Sequence, residues 1–402
     1  MRDKTRIDAI DFIVIIIFEL YYIMPSVSAE YNFVLPIILG ISYIVFQVIK
    51  NDMKISTEIV KYLSLITFIA ILYTLLIKTI TISAEASNGT LKMFLSKFYQ
   101  LFMMFIPVLF LKKMMNYASL RQKKYILASS YALFGYVIVL TMRELIINPN
   151  ITRSWGEAAG ASGNNIANYY FVYAIPVLVV LCTMFATRTR SIFVRGLIIA
   201  IIVYQMNFLL RAQYTISVLI TILGIIYVIY ISTERSRYRT IFILLFVCMI
   251  IASPWILRFA ASHVPSEQMS IRLYEVYNFL VARDATGYNM NGRVTLYFDS
   301  IKAFLFSPIW GNRSLDFDGH ATFLTVLSDV GLLGGVPFYY LYFSTNKKVR
   351  YLIEDDECRF KPVFFMLVLM GFTNPIHTAL PLMYATWFVA PLTISVFKEY
   401  ER

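Results

Sequence analysis

Apolar residues in this chain come in long runs and not in strict alternation, which predicts helices and not strands. Twelve such runs occupy roughly 8–24, 32–49, 59–79, 94–111, 125–142, 166–186, 196–212, 215–232, 240–258, 320–343, 362–376 and 378–397. Each is close to the ~20 mostly apolar residues that cross a bilayer as a helix. The connections between them are short, except 143–165 and 259–319. Within the longer one, Met269, Leu273, Val276 and Leu280 share one helical face, and Val294, Tyr297, Ile301 and Phe304 share another. Such faces predict helices lying at the membrane surface, the second ended by Pro308 and Gly311. No internal repeat or low-complexity segment interrupts the pattern. The expectation is all-α: a single transmembrane domain over 1–402, a polytopic helical bundle of about 12 transmembrane helices. A large, partly helical outer loop, 259–319, between spans 9 and 10 carries part of the candidate site.

Composition agrees with the pattern: 59% of residues are hydrophobic and 15% charged, with a mean hydropathy of +0.67, against ~25% charged in a soluble domain. The net charge of +12 raises nucleic acid as a partner, and its distribution removes it. The clusters "KKMMNYASLRQKK", "RTRSIFVR", "ERSRYR" and "NKKVR" sit between apolar runs, and no compact basic domain exists. With the N-terminus inside, the inner segments are 1–7, 50–61, 112–124, 187–195, 233–239, 344–361 and 398–402, and they hold two thirds of the 36 Lys and Arg residues. That bias predicts both termini in the cytoplasm of a plasma (inner) membrane protein. "VSA" at 27–29 resembles a signal-peptide cleavage site, but Asp8, Asp11 and Glu19 in or beside the first run predict a retained span. Cys182, Cys248 and Cys358 have no spacing that indicates a disulfide framework or zinc.

Candidate chemistry gathers on the predicted outer side. His263, His320 and His377 fall at outer ends of spans or in outer loops; such a histidine is ordinarily an interfacial hydrogen-bonding residue. Arg258, Arg272, Arg283, Arg293 and Arg313 crowd the long loop against the topology bias. Arg211 lies between two spans with almost no loop, where an unpaired cation is costly. It either snorkels to lipid head groups or holds an anion within the bundle. Guanidinium groups grip phosphates through paired hydrogen bonds, so arginines at an outer cavity suit a lipid diphosphate whose tail lies in the bilayer. His320 can take a proton from a sugar hydroxyl, since a free imidazole has a pKa of ~6.5, near working pH. Asp316 and Asp318 have the DxD spacing of a metal-holding pair; a solvated turn explains them better, since other oxygen ligands are not evident nearby. Asp329, about three turns into its span, is expected to be a structural intramembrane acid. Gly331, Gly334 and Gly335 beside it are expected to permit close helix packing.

Four segments in this order resemble the O-antigen polymerase and O-antigen ligase superfamily of membrane glycosyltransferases. "GASGNNIANYYFVYAIPVL" is similar to that family's asparagine-bearing entry to a span, with Asn165 aligned; "LLRAQYTISVL" to its arginine at an outer helix junction, Arg211. "NGRVTLYFDSIKAFLFSPIWG" is similar to its GR…P..G segment, Arg293, and "GHATFLTVLSDVGLLGG" to its histidine-led helix, His320. The resemblance covers roughly 155–345 and the twelve-span layout. Ala321 stands where the family often has Asn, and Asp329 where Glu is common. The resemblance implies a GT-C-like fold and an inverting, metal-independent transfer without a cofactor, with Arg211 and Arg293 on the diphosphate and His320 as the base. Arg313 is a further substrate contact by sequence proximity, and Asn165 by its match to the family asparagine. The function implied is a polymerase joining polyprenyl-diphosphate-linked oligosaccharide repeat units on the outer face of the membrane, for a surface glycan such as capsule or O-antigen. Its partners would be the bilayer, a chain-length regulator and a flippase of the same pathway. A ligase passing the glycan to another acceptor uses the same donor; a flippase of the same lipids is expected to have repeat-related halves and a midplane site.

Overall fold

A computed structural model describes residues 7–30, 34–50, 57–78, 86–152, 165–232, 236–263, 267–281, 288–312, 321–355, 359–376 and 379–401. Among these the chain is helical, with no strand. In order the helices are α1 (Ala9–Ile23), α2 (Pro25–Glu30), α3 (Val34–Ile49), α4 (Thr57–Lys78), α5 (Ala86–Tyr117), α6 (Leu120–Ile147), α7 (Tyr169–Val172), α8 (Ile175–Arg188), α9 (Ile192–Arg211) and α10 (Thr215–Ser232). There follow α11 (Ser236–His263), α12 (Glu267–Val281), α13 (Tyr288–Phe306), α14 (Thr322–Leu352), α15 (Lys361–Thr373), α16 (Leu380–Tyr384) and α17 (Ala390–Glu401). Each predicted apolar run falls on one or more of them, and both predicted helices of the 259–319 segment are present as α12 and α13.

Seven segments among the described residues are long and apolar enough to cross a membrane: Leu91–Tyr117, Leu120–Ile147, Tyr169–Arg188, Ile192–Arg211, Thr215–Ser232, Thr322–Leu352 and Leu380–Glu399. Helices α1, α3 and α15 are apolar but only 15, 16 and 13 residues long. At 1.5 Å per residue they fall short of a hydrocarbon core of ~30 Å. The molecule is therefore a multi-pass helical membrane protein.

The most deeply buried stretch is the last one, where residues 381–396 are buried without exception. It packs on α5 and α8, with Trp387 and Tyr384 fully enclosed. A π-helical turn, Ala385–Val389, interrupts it. Pro391 explains the widening: it has no N–H to give the Trp387 carbonyl, and its ring would strike that carbonyl in a regular α-turn. At the other extreme α9 exposes Ile192, Phe193, Leu197 and Val203, an apolar face too large for a water-exposed surface and suited to acyl chains.

The bundle has two chemically different ends. At one, Lys50 pairs with Asp8, Lys123 with Glu399 at 2.8 Å and Lys398 with Glu354 at 3.7 Å, while Gln122 donates to the Ile7 carbonyl at 3.3 Å. The N- and C-terminal described segments therefore meet at this basic end. Just inside it, buried Asp11 accepts from Tyr43 (3.0 Å) and Gln47 and lies 3.1 Å from Lys113 Nζ. The lysine also donates to Gln47 Oε1 at 2.9 Å and lies over the Tyr117 ring. Toward the opposite end, uncharged hydrogen bonds such as Tyr173 to Asn374 and Tyr297 to Thr373 join the described segments, and Arg211 and Asn165 lie toward it.

Candidate functional site

The site end is built around a broken helix. Gly331, inside α14, has φ 56° and ψ −158°, so α14 is two helices meeting at a break. A break leaves carbonyls of the first half and N–H groups of the second without intrahelical partners. The segment after α13 supplies them. Leu332 N donates to Pro308 O at 2.7 Å and Leu333 N to Ile309 O at 3.1 Å; Asn312 N donates back to Ser328 O at 2.6 Å. Residues 307–312 thus form a strap across the break. The approach is backbone to backbone: a Cβ on Gly331 would overlap the Ile309 carbonyl, and one on Gly311, at φ +80°, the Asp329 carbonyl. Where the sequence predicts that Gly331 permits close helix packing, the residue instead opens the helix. Half-buried Asp329 lies two residues before the break, two turns into α14 and not deep inside a continuous helix.

The second feature is the turn 373–376 after α15. Asn374 is buried. Its carbonyl accepts from Thr322 N (3.1 Å) and Thr322 Oγ1 (3.0 Å), and Ile376 N donates to the same Thr322 hydroxyl at 2.7 Å. Its side-chain oxygen accepts from the Tyr173 hydroxyl at 2.7 Å. The Tyr173 ring lies 6.1 Å from Tyr214 and 4.8 Å from Tyr169, and Tyr169 is 5.5 Å from Tyr214. On the other side the Tyr297 hydroxyl donates to Thr373 O at 3.4 Å. Three chain segments therefore converge here: the α9–α10 junction through Tyr214, α13 through Tyr297, and the start of α14 through Thr322.

The expected residues lie along these segments. Arg211 ends α9, three residues before Tyr214; it is exposed, and its Nε donates to Asn207 Oδ1 at 3.4 Å. Its cation sits favourably at a helix C-terminus. The guanidinium is thus at the surface of the bundle and not enclosed within it. Gln213, buried in the left-handed region at φ 61°, makes the tight α9–α10 turn, a conformation that costs a non-glycine residue roughly 1–2 kcal/mol. Arg293 occupies a position one helical turn before Tyr297 in α13; its side chain lies outside the described residues. So do His320, Arg313, Asp316, Asp318 and His377. Ala321, the residue after His320, is buried. Asn165 accepts from Ser26 N at 3.3 Å and from its hydroxyl, tying the start of α7 to α2. His263 is engaged by its own helix: Nδ1 donates to Phe259 O at 2.8 Å and the ring stacks on Phe259. Among the described residues no three His, Cys, Asp or Glu side chains cluster as a metal would require.

Sequence reasoning missed Asn374, Thr322, Tyr173 and Gln213. Their only signal was local: polar residues at the rims of apolar runs, which also suits interfacial residues of no special role. No protein-family model matches this chain, and no curated protein matches its sequence.

Proposed function

We propose that the chain is a membrane glycosyltransferase that polymerises polyprenyl-diphosphate-linked oligosaccharide repeat units. In this reading the shorter apolar helices α1, α3 and α15 also cross, where the bilayer thins to meet them, giving about twelve crossings in a GT-C-like arrangement within the plasma (inner) membrane. Both termini are cytoplasmic, and the end bearing Asn374 faces outward. The basic end then meets the cytoplasm, as a positive-inside protein requires. His320 takes the proton of an acceptor sugar hydroxyl, and the hydroxyl oxygen bonds the donor's anomeric carbon from the face opposite the leaving group. The bond from that carbon to the diphosphate oxygen breaks with inversion. Arg211 and Arg293 share the charge that develops on the diphosphate, as donors at an oxyanion do. No metal or cofactor enters these steps.

The observation that supports this reading is the convergence on the 373–376 turn. Residues two, three and four positions after His320, Arg211 and Arg293 all pack on or around it: Thr322, Tyr214 and Tyr297. The test is transfer by purified protein supplied with lipid-linked donor and acceptor repeat units. The expected outcome is a ladder of chain lengths, lost in Arg211→Ala, Arg293→Ala and His320→Ala at normal protein levels. Lysine should rescue the arginine positions poorly, since it lacks the forked contact. A ladder of normal yield in all three variants overturns the assignment. Transfer only to a separate lipid acceptor makes the protein a ligase, and movement of the lipid without a new glycosidic bond makes it a flippase.

A further inference from the structure

A groove runs between α1 and α3 on the outside of the bundle, at the end away from the basic residues. Its floor is Phe18, Tyr21 and Pro36, all buried; its rims are Ile17, Leu35 and Leu39, each 40–45% exposed. Val27 of α2 closes one end. The volume is about 330 Å³, room for about ten chain atoms at the ~30 Å³ a water-sized atom occupies in a liquid. The floor's polar group is already satisfied, because the Tyr21 hydroxyl bonds Tyr99 at 2.7 Å. Such a surface accepts an apolar chain and offers a polar one nothing.

The closed end leads to the candidate site. Next to Val27, Ser26 holds Asn165. Behind the same α1–α2 corner lies a 40 Å³ pocket bordered by Ser28, Asn168 and Tyr170, a size that admits about one water. Asn168 caps α7, and the adjacent Tyr169 ring packs on Tyr173 and Tyr214. The apolar trough thus ends beside a polar corner, Ser26 with Asn165, and the half-buried Tyr169 leads inward from there to the buried Tyr173 and Tyr214.

We infer that this groove seats the first isoprene units of the donor lipid, with its head group directed over α2 toward Asn165 and the 373–376 turn; the inference rests on the glycosyltransferase reading above. Its volume takes about ten atoms of one chain, and its continuity with Ser26 and Asn165 favours a carrier whose head group reacts at that end over bulk lipid.

The experiment is photolabelling of the full-length protein in bilayer discs with a polyprenyl diphosphate carrying a diazirine on its first isoprene units. Labelled peptides should contain Ile17–Tyr21 and Leu35–Leu39, and excess unlabelled polyprenyl diphosphate should suppress the label where excess phosphatidylethanolamine does not. In parallel, Leu39→Trp, which fills the trough from its exposed rim, should raise the donor KM about tenfold with kcat retained. Labelling elsewhere, or equal competition by the phospholipid, overturns the inference in favour of another chain site or ordinary bilayer lipid. An unchanged KM in a folded Leu39→Trp protein also overturns it, while leaving the transferase reading standing. Wild-type protein that labels as expected yet forms no glycosidic bond would defeat that reading instead.

Discussion

Replacing Gly331 by alanine tests the broken helix directly. At φ 56° and ψ −158° an L residue occupies a region that is essentially glycine's alone, at a cost of roughly 1–3 kcal/mol. The added methyl would also overlap the Ile309 carbonyl, so the strap has to retreat. Retreat stretches Leu332 N→Pro308 O and Leu333 N→Ile309 O, now 2.7 and 3.1 Å. Each enclosed N–H left without an acceptor costs about 1–3 kcal/mol. The total is about 3–9 kcal/mol if the backbone keeps its course. There is one escape. Alanine favours a continuous helix, in which Leu332 N would bond Ser328 O, the carbonyl now taken by Asn312 N. The variant would then recover helix bonds and expel the strap. Either route has a visible consequence, so two measurements are needed: the denaturation midpoint in detergent, and hydrogen exchange of the peptide spanning 305–312. Gly331→Ala should lower the midpoint or deprotect the strap, and polymer formation should fall with it. Gly135→Ala is the control: that glycine lies inside α6, and a methyl added there would meet nothing within 4 Å, so alanine should be neutral or stabilising by up to ~1 kcal/mol. A Gly331→Ala protein matching wild type in midpoint and in strap protection would refute the account of the break.

Two further outcomes follow from buried polar groups. Thr322→Val keeps the shape but removes a hydroxyl that both donates to Asn374 O and accepts from Ile376 N; it should destabilise by about 1–3 kcal/mol, read from a denaturant midpoint, and depress transfer more than Ser344→Ala, whose hydroxyl lies far away beside Tyr62. Lys113→Met should cost about 3–5 kcal/mol by leaving Asp11 buried without its cation, whereas Asp11→Leu with Lys113→Met should recover most of that loss, which a double-mutant cycle on the same midpoint measures.

The helices were legible because bilayer crossing imposes a local rule, a sustained apolar run, that single residues obey one after another. The amphipathic α12 and α13 were legible for the same reason, through one-face spacing. The break in α14 was not. In sequence Gly331 resembles Gly334 and Gly335, and only the strap, twenty or so residues earlier, distinguishes an opened helix from a closely packed one. The 373–376 turn was hidden by a similar difficulty. Asn374 matters through Tyr173 and Thr322, partners far away in the chain, and a hydrogen bond between distant residues leaves no periodic trace. Arg211 illustrates the reverse: its position at a helix junction was read from the shortness of the loop, but its exposure depends on how α9 and α10 pack, which no local pattern encodes.

The two non-local features bear on one segment. Asn312, which precedes 313–320, is bonded to Ser328 O; Ala321, which follows it, leads into Thr322 and its bonds to Asn374 and Ile376. Ser328 and Ala321 lie on the same first half of α14, about 10 Å apart at 1.5 Å per residue. Both flanks of the segment carrying Arg313 and His320 are therefore fixed to one short helix, and that helix is held to α15 by Asn374. Transition-state stabilisation needs donors that do not reorganise as charge develops, and rigid supports hold such groups better than free loops do. In the proposed transferase the broken α14 would serve that need: a continuous helix would satisfy its own backbone and leave none for the strap, so the break is what joins the segment after α13 to α14.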